Sequence, residues 1–272
     1  MAHDDTRFAA DLYQGTAAYY DRYRLPYPEE MLADLAAAAH AQIGADTRLL
    51  DLACGTGQLG VPLRPRFTEV WAVDQERDMV EAVRAKSMAG VRAVASSAED
   101  LDAPPGYFDL IVVGNAFHRL DRDVVARRCL AWLKPHGRLA LCWSTSPWVG
   151  DAPWQQAFAE LLTRWQSELG VERRIPPGWE RARKERPDAR VLSEAGFEPD
   201  GRREFTVAHR WTLAALAGHV RSTSFLPPSA LADRAAAFDE DLAARLAPFA
   251  EDGTFPDAVN FAYDLFRPRQ TS

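Results

Sequence analysis

Cysteine is scarce, and its arrangement excludes more than it supports. Cys54, Cys129 and Cys142 are an odd three with no C-x-x-C pair. That leaves no disulfide frame and no thiolate zinc site, and it suits a reducing compartment, so a cytoplasmic location is expected. No H-E-x-x-H and no Cys/His cluster occurs, so no metal is expected. No apolar run approaches the ~20 residues a membrane-spanning helix needs, so no membrane partner is expected. The opening stretch MAHDDTRFAADLYQG is acidic and lacks a hydrophobic segment, and no signal peptide is expected of it. Excess positive charge is missing too: 32 Lys and Arg stand against 39 Asp and Glu, a net charge of −7. A nucleic-acid binder carries the opposite sign, so nucleic acid is not expected as a partner.

What is present is an ordinary globular composition, 47% hydrophobic and 26% charged over 272 residues. Short apolar runs read as strands at 47–53 (TRLLDLA), 69–74 (EVWAVD), 91–95 (VRAVA), 108–114 (FDLIVVG) and 137–143 (GRLALCW). Helical patterns separate them, notably Asp78–Lys86 and Asp123–Leu133. Such alternation predicts βαβ units and a parallel sheet. After Trp143 the pattern changes to amphipathic helices over Asp151–Leu169 and Ser229–Phe249, with strands over Arg202–Trp211 and Val259–Phe266. Ala189–Ala195 followed by Gly196 reads as a helix with a glycine stop. The segment 172–190, rich in proline and charge, reads as a loop or lid. The expected fold is α/β: a Rossmann-like, doubly wound, mostly parallel seven-stranded sheet with helical cap insertions. One domain is expected over 1–272. Its core is placed at 30–146, 187–211 and 254–272, and its cap at 1–29, 147–186 and 212–253.

Within LLDLACGTGQLG, Gly55, Gly57 and Gly60 spell G-x-G-x-x-G, and Asp51 stands four residues before the first glycine. Glycines there let a ligand approach the backbone closely. Read literally, the fingerprint suits a nicotinamide dinucleotide and an oxidoreductase. A carboxylate at the strand end would repel that ligand's pyrophosphate, whereas it favours a ligand carrying ammonium and sulfonium charges. The stretch resembles motif I of the class I S-adenosylmethionine-dependent methyltransferases, and further segments resemble that family in the right order. Asp74 ends the second strand, Ser97-Ala98-Glu99-Asp100-Leu101 resembles the segment beside the adenine, and FDLIVVGNAFH (108–118) resembles motif IV. Leu133-Lys134-Pro135-His136-Gly137-Arg138-Leu139 resembles the turn before the fifth strand, and YYDRYRLPYP (19–28) the opening of a small-molecule branch near the trans-aconitate and quinone methyltransferases. The resemblance covers roughly 13–145. Ser97 departs from it, because many members carry Asp there; Asp100 or backbone groups are the substitutes.

The resemblance implies S-adenosylmethionine as cofactor, with S-adenosylhomocysteine as product. It implies a cofactor site of Tyr19, Asp51, Ala53, Gly55, Gly57, Asp74, Gln75, Met79, Ala98, Glu99 and Asn115. Asp74 equally suits a helix N-cap, and Met79 a core position. His118 follows the fourth strand and is the candidate general base, its ordinary value near 6.5 suiting that work. Phe117, His118, Trp148 and Arg221 are the candidate substrate contacts, and His209 and His219 lie near enough in sequence to Arg221 to reach the same pocket. Arg24 is a candidate partner for a carboxylate. The expected activity is methyl transfer to a small molecule, to oxygen first and then carbon or nitrogen, in secondary metabolism, by a monomer or homodimer. The alternatives are an NAD(P)-dependent oxidoreductase, a non-catalytic S-adenosylmethionine-binding protein, or a related fold that uses the cofactor's charge for cyclisation or elimination.

Overall fold

The apolar runs form strands because their β-branched and aromatic residues alternate between the two faces of a pleated sheet, with a period of two. In the computed structural model the described residues are 8, 11–40, 46–171 and 176–270. Expectations that fall on 1–7, 9–10 and 172–175 lie outside the described residues.

Seven strands are described: β1 (Arg48–Leu52), β2 (Glu69–Asp74), β3 (Val91–Ala95), β4 (Phe108–Gly114), β5 (Leu133–Ser144), β6 (Phe197–Trp211) and β7 (Phe255–Pro268). They form one sheet in the order β3-β2-β1-β4-β5-β7-β6. β1 to β5 are parallel, and β7 runs antiparallel to both β5 and β6. The helices are α1 (Ala17–Tyr23), α2 (Glu29–His40), α3 (Gly60–Leu63), α4 (Arg77–Ala85), α5 (Arg122–Trp132) and α6 (Pro153–Leu169). They continue with α7 (Trp179–Glu185), α8 (Asp188–Ala195), α9 (Leu213–Arg221), α10 (Pro228–Leu231) and α11 (Ala235–Leu246). No helix among the described residues is long and apolar enough to cross a membrane.

Alternate residues of the central strands feed two cores. Leu49, Leu110, Val112 and Ala140 face α2 and α3, while Leu50, Leu52, Ile111, Val113 and Leu139 face α5 and α8. Strands covered on both faces read as continuous apolar runs, which is why β4 has so little polar interruption. The first core continues into a helical layer, in which α11 packs on α6 and α9, and α1 packs on α9. Phe238 and Trp165 meet there edge to face, 5.5 Å apart.

Three expectations need adjustment. The segment expected to be a loop or lid holds α7 and the start of α8. Its Glu, Arg, Lys and Ala are good helix formers, and its prolines only punctuate the ends. Among its described charges, Arg186 makes two 2.6 Å bonds to Asp123 and also binds Glu194. The helix expected over Ser229–Phe249 is broken, because Ala232 adopts a left-handed φ of +44° between α10 and a 3-10 turn. β6 and β7 are longer than expected, since each supplies the other's ladder along their whole length. Gly196 ends α8 as expected, at φ +108°.

Phe238 is fully buried in the helical layer. Phe238→Ala should cost about 3 kcal/mol or more and lower Tm by roughly 10 °C in a thermal melt.

Candidate functional site

The parallel strands place their carboxyl ends along one edge, and the sheet order reverses between β1 and β4. Ligands of open α/β sheets bind at such a switch point. The loops that leave β1 and β4 there hold a run of left-handed residues: Ala53 at φ +54°, Gly55 at +55°, Gly57 at +84° and Asn115 at +50°. Asparagine tolerates that region, but alanine is strained in it. Backbone strain of this kind collects at functional sites, and here it borders a cavity of about 590 Å³.

Two buried carboxylates shape the glycine turn. Asp74 Oδ2 accepts the Gly55 N–H at 2.8 Å, and its Oδ1 accepts the Glu76 N–H at 2.9 Å. Asp51 Oδ2 accepts the Gly60 N–H at 2.7 Å. Gly60 has no room for a side chain, since a Cβ would lie 2.9 Å from that same carboxylate. Gly57 closes the turn by donating to the Cys54 carbonyl at 2.9 Å. Burial pushes Asp51 up to about 8 against the hydrogen bond from Gly60, and Asp74 is raised by the same cause. Burial, with Asp78 and Asp74 near, takes Glu76 up to about 7.

Of the residues expected to hold a cofactor, Ala53, Gly55, Asp74, Gln75, Met79, Ala98, Glu99 and Asn115 border this cavity. Asp51 and Gly57 do not; they stand behind the turn and hold its shape. Tyr19 is not on the wall either, because α1 turns it outward to stack on Tyr23, with ring centroids 6.1 Å apart. The next residue, Tyr20, lines the cavity instead, and a Cβ on Gly55 would lie 3.0 Å from its ring. The sequence reading chose Tyr19, and only the helix register separates it from Tyr20. The sequence reading missed Leu12, Glu76 and Arg119 as wall residues, and Tyr13, one of the dense N-terminal tyrosines, stands on the wall with them. Glu76 was visible as an acid two positions past Asp74. Tyr13 had no signal beyond its type: its N–H donates to Glu76 Oε1 at 3.1 Å across 63 positions.

The substrate contacts expected from sequence are not gathered here. His118 lies on neither cavity wall; its ring meets Trp179 at 5.4 Å, and its carbonyl accepts the Trp179 indole N–H at 3.1 Å. Burial, with Arg183 and Arg122 beside it, pushes His118 down to about 3, far from the ordinary value that recommended it as a base. Phe117 is buried in the core beneath β4. Trp148 packs against Phe158, His219 and Phe225. Arg221 clips α9 to α11 through Asp239 at 2.8 Å. Phe117, His118 and Trp148 follow strand ends and Arg221 closes α9, and the chain order does not reveal where each points.

The cavity's charge is one-sided. Asp74, Glu76, Glu99, Asp100 and Asp121 border it, against a single guanidinium, Arg119, among the described residues. Burial and the nearby Arg183 lower Arg119 to about 10. A surface of this sign favours a cationic ligand and opposes a pyrophosphate. Ser97 Oγ bonds Asp100 at 2.8 Å, so the pair closes the turn where the family pattern has a single acid.

The raised carboxyls link protons to stability. A group whose folded value lies at about 8, against 3.8 ordinarily, binds a proton that the unfolded chain has already released. Stability therefore falls as pH rises from about 4 to about 8, and levels off above. Thermal melts of the ligand-free protein should lose several degrees between pH 5 and pH 8. Asp51→Asn, which keeps an acceptor for the Gly60 N–H, should remove the larger part of that slope. His118→Ala should leave turnover within a few-fold of wild type, in contrast to the ~10²-fold or greater loss expected of a general base.

The comparisons agree with this geometry. The methyltransferase domain family matches residues 49–137, from the start of the glycine-turn strand to the fifth-strand turn. An uncharacterized methyltransferase of Mycobacterium tuberculosis is 33% identical over 145 residues, covering 53% of this chain and 56% of that protein. The ubiquinone biosynthesis O-methyltransferase of Bradyrhizobium diazoefficiens is 30% identical over 122 residues, covering 43% of this chain and 47% of that protein. The chain thus spans about half the length of the curated relatives it matches. A solved methyltransferase structure from Anaeromyxobacter dehalogenans shares the fold at a TM-score of 0.62 and 20% identity, covering 91% of this chain and 98% of that one. Residues 49–137 thus match the methyltransferase domain family, and they lie in a seven-stranded sheet with the Rossmann-like methyltransferase fold.

Proposed function

We propose that this protein transfers a methyl group from S-adenosylmethionine to an oxygen of a small-molecule acceptor. The observation that carries the reading is the acid-lined cavity at the β1/β4 switch point, with the Gly55 turn pinned against Asp74. It suits a cofactor that is large, cationic and free of phosphate. On the family resemblance, Asp74 would hold the ribose hydroxyls. Ala98 and Glu99 would flank the adenine, with Met79 beside them. Tyr20 and Asn115 would border the amino-acid end. Bound there, the cofactor supplies a methyl group on a positively charged sulfur. The protein's own part is positional: the turn, the strapped Tyr13–Gly15 segment and Asn115 align the reactants and exclude water. Gly15 adds to that strap by donating to Asp78 at 3.0 Å.

Oxygen is favoured as the accepting atom because the relatives include two ubiquinone biosynthesis O-methyltransferases. The division into a sheet core and a cap over 1–29, 147–186 and 212–253 belongs to the same reading, as do a cytoplasmic role in secondary metabolism and a monomer or homodimer. Thermal shift with S-adenosylhomocysteine and NAD⁺ tests it. At about 100 times Kd, a true ligand adds ~2.7 kcal/mol. The expected result is a shift of several degrees with S-adenosylhomocysteine, none with NAD⁺, and loss of the shift in Asp74→Ala. A shift with NAD⁺ alone would overturn the reading.

A further inference from the structure

Arg119 ends the 3-10 turn after β4 and stands half-buried on the wall of the large cavity. Methyl transfer as described so far gives it no task. Its guanidinium lies over the Tyr13 ring, 4.9 Å from the centroid, and makes no hydrogen bond or ion pair among the described residues. The ring beneath it is fixed, because Glu76 holds the Tyr13 N–H and Asp78 holds the Gly15 N–H. Stacking uses the face of a guanidinium and leaves the N–H donors along its edge unbonded. With a value of about 10, Arg119 keeps its charge at neutral pH. A cation withdrawn from water is ordinarily paired, so an unpaired one on a cavity wall calls for an anion.

Its surroundings add to the imbalance. Arg183, which acts on Arg119, lies 3.7 Å from Asp188, and Arg122 already bonds Asp188 at 2.9 Å. One carboxylate thus serves two guanidiniums. The acids that follow Arg119 in the chain are committed: Asp121 accepts the Val124 N–H at 3.2 Å, and Asp123 binds Arg186 at 2.6 Å. The corner keeps a surplus of positive charge beside a cavity whose other walls are acidic.

The cofactor's own carboxylate has a different place in this scheme. Its amino-acid end is assigned to Tyr20 and Asn115, where Arg24 stands 4.8 Å from the Tyr20 ring. Tyr13 lies between the two cations, with Arg119 over its ring and Tyr20 meeting it at 6.4 Å. A small cavity behind Tyr20 and Asn115, bordered by Arg24 and His219, holds about 20 Å³ and admits only a water-sized group. Room for an acceptor is in the cavity of about 590 Å³ that Arg119 borders.

Resting on the methyl-transfer reading above, we propose that Arg119 anchors the acceptor and that the acceptor carries a carboxylate. The free edge of the guanidinium donates two parallel N–H bonds to the two carboxylate oxygens, the arrangement in which an arginine fork matches that group. An ammonium is repelled by the same corner, and a neutral amide gains no charge assistance. A carboxylate engaged in this way has its lone pairs taken up, so it orients the acceptor and is not the group that receives the methyl.

The test uses the full chain saturated with S-adenosylhomocysteine at pH 7. The probes are benzoate and indole-3-acetate, each against its neutral counterpart, benzamide or indole-3-acetamide, with binding read by calorimetry. The wild type should bind each carboxylate about ten-fold or more tighter than its amide. Arg119→Gln should lose that preference and hold S-adenosylhomocysteine within about three-fold of wild type. Arg119→Lys, which keeps the charge without the fork, should retain only part of the preference, and it decides the matter if Arg119→Gln does not fold. Wild type that binds neither carboxylate, or binds both no tighter than their amides, would overturn the proposal. So would variants that keep the full preference. A larger loss of S-adenosylhomocysteine affinity in Arg119→Gln would overturn it too, by assigning the guanidinium to the cofactor's own carboxylate. Failure of the wild type to bind S-adenosylhomocysteine at all would instead sink the methyl-transfer reading.

Discussion

The carboxylate of Asp74 holds the site together. It accepts one N–H from the loop after β1 and another from the loop after its own strand, so a single buried group fixes two neighbouring strand ends. Asp51 holds the far end of the same turn through the Gly60 N–H. These bonds keep the glycine turn open toward the cavity. Gly55 then faces the Tyr20 ring, and α1 is seated by that contact. The helical layer is joined to this seating, since α1 carries Tyr20, leads into Arg24 and packs on α9.

The same clamp sets the electrostatics. Carboxylates that satisfy backbone N–H groups are withdrawn from solvent, and withdrawal raises their affinity for protons. A ligand that brings positive charge relieves that condition, while one that brings phosphate aggravates it. The acid placed to shape the loop therefore also selects the ligand. The boundary at Tyr20 and Asn115 marks a change of sign: carboxylates dominate the cofactor side, and an arginine with a neutral histidine stands on the other.

The helical layer shows why a histidine is hard to assign from its place in the chain. His118 occupies the expected position after β4, yet its 3-10 turn carries the ring away from both cavities and against Trp179. His219 is about a hundred residues later, on a helix whose role depends on packing against α1. Burial suppresses the basicity of both rings. They differ in what surrounds them: His118 stands near Arg183 and Arg122, and His219 borders a small cavity with Tyr20, Arg24 and Asn115.

The sequence by itself determined the strands, the glycine turn and the acids that flank it. These are local matters: period-two alternation, positive φ at glycine and a carboxylate at a strand end all act within a few residues. Asp51, Gly55 and Asp74 were legible for that reason, whereas Met79 and Asn115 were reached only through the family resemblance. Only the tertiary structure decided that Tyr20 rather than Tyr19 meets the cavity, that Tyr13 is tied to Glu76, and that Trp148 and Arg221 serve the cap's own packing. It also decided that His219 rather than His118 lines a cavity with Tyr20 and Asn115. Those outcomes depend on helix register and on which elements pack together, where the free-energy balance is struck between groups tens to hundreds of residues apart, and no local pattern encodes it.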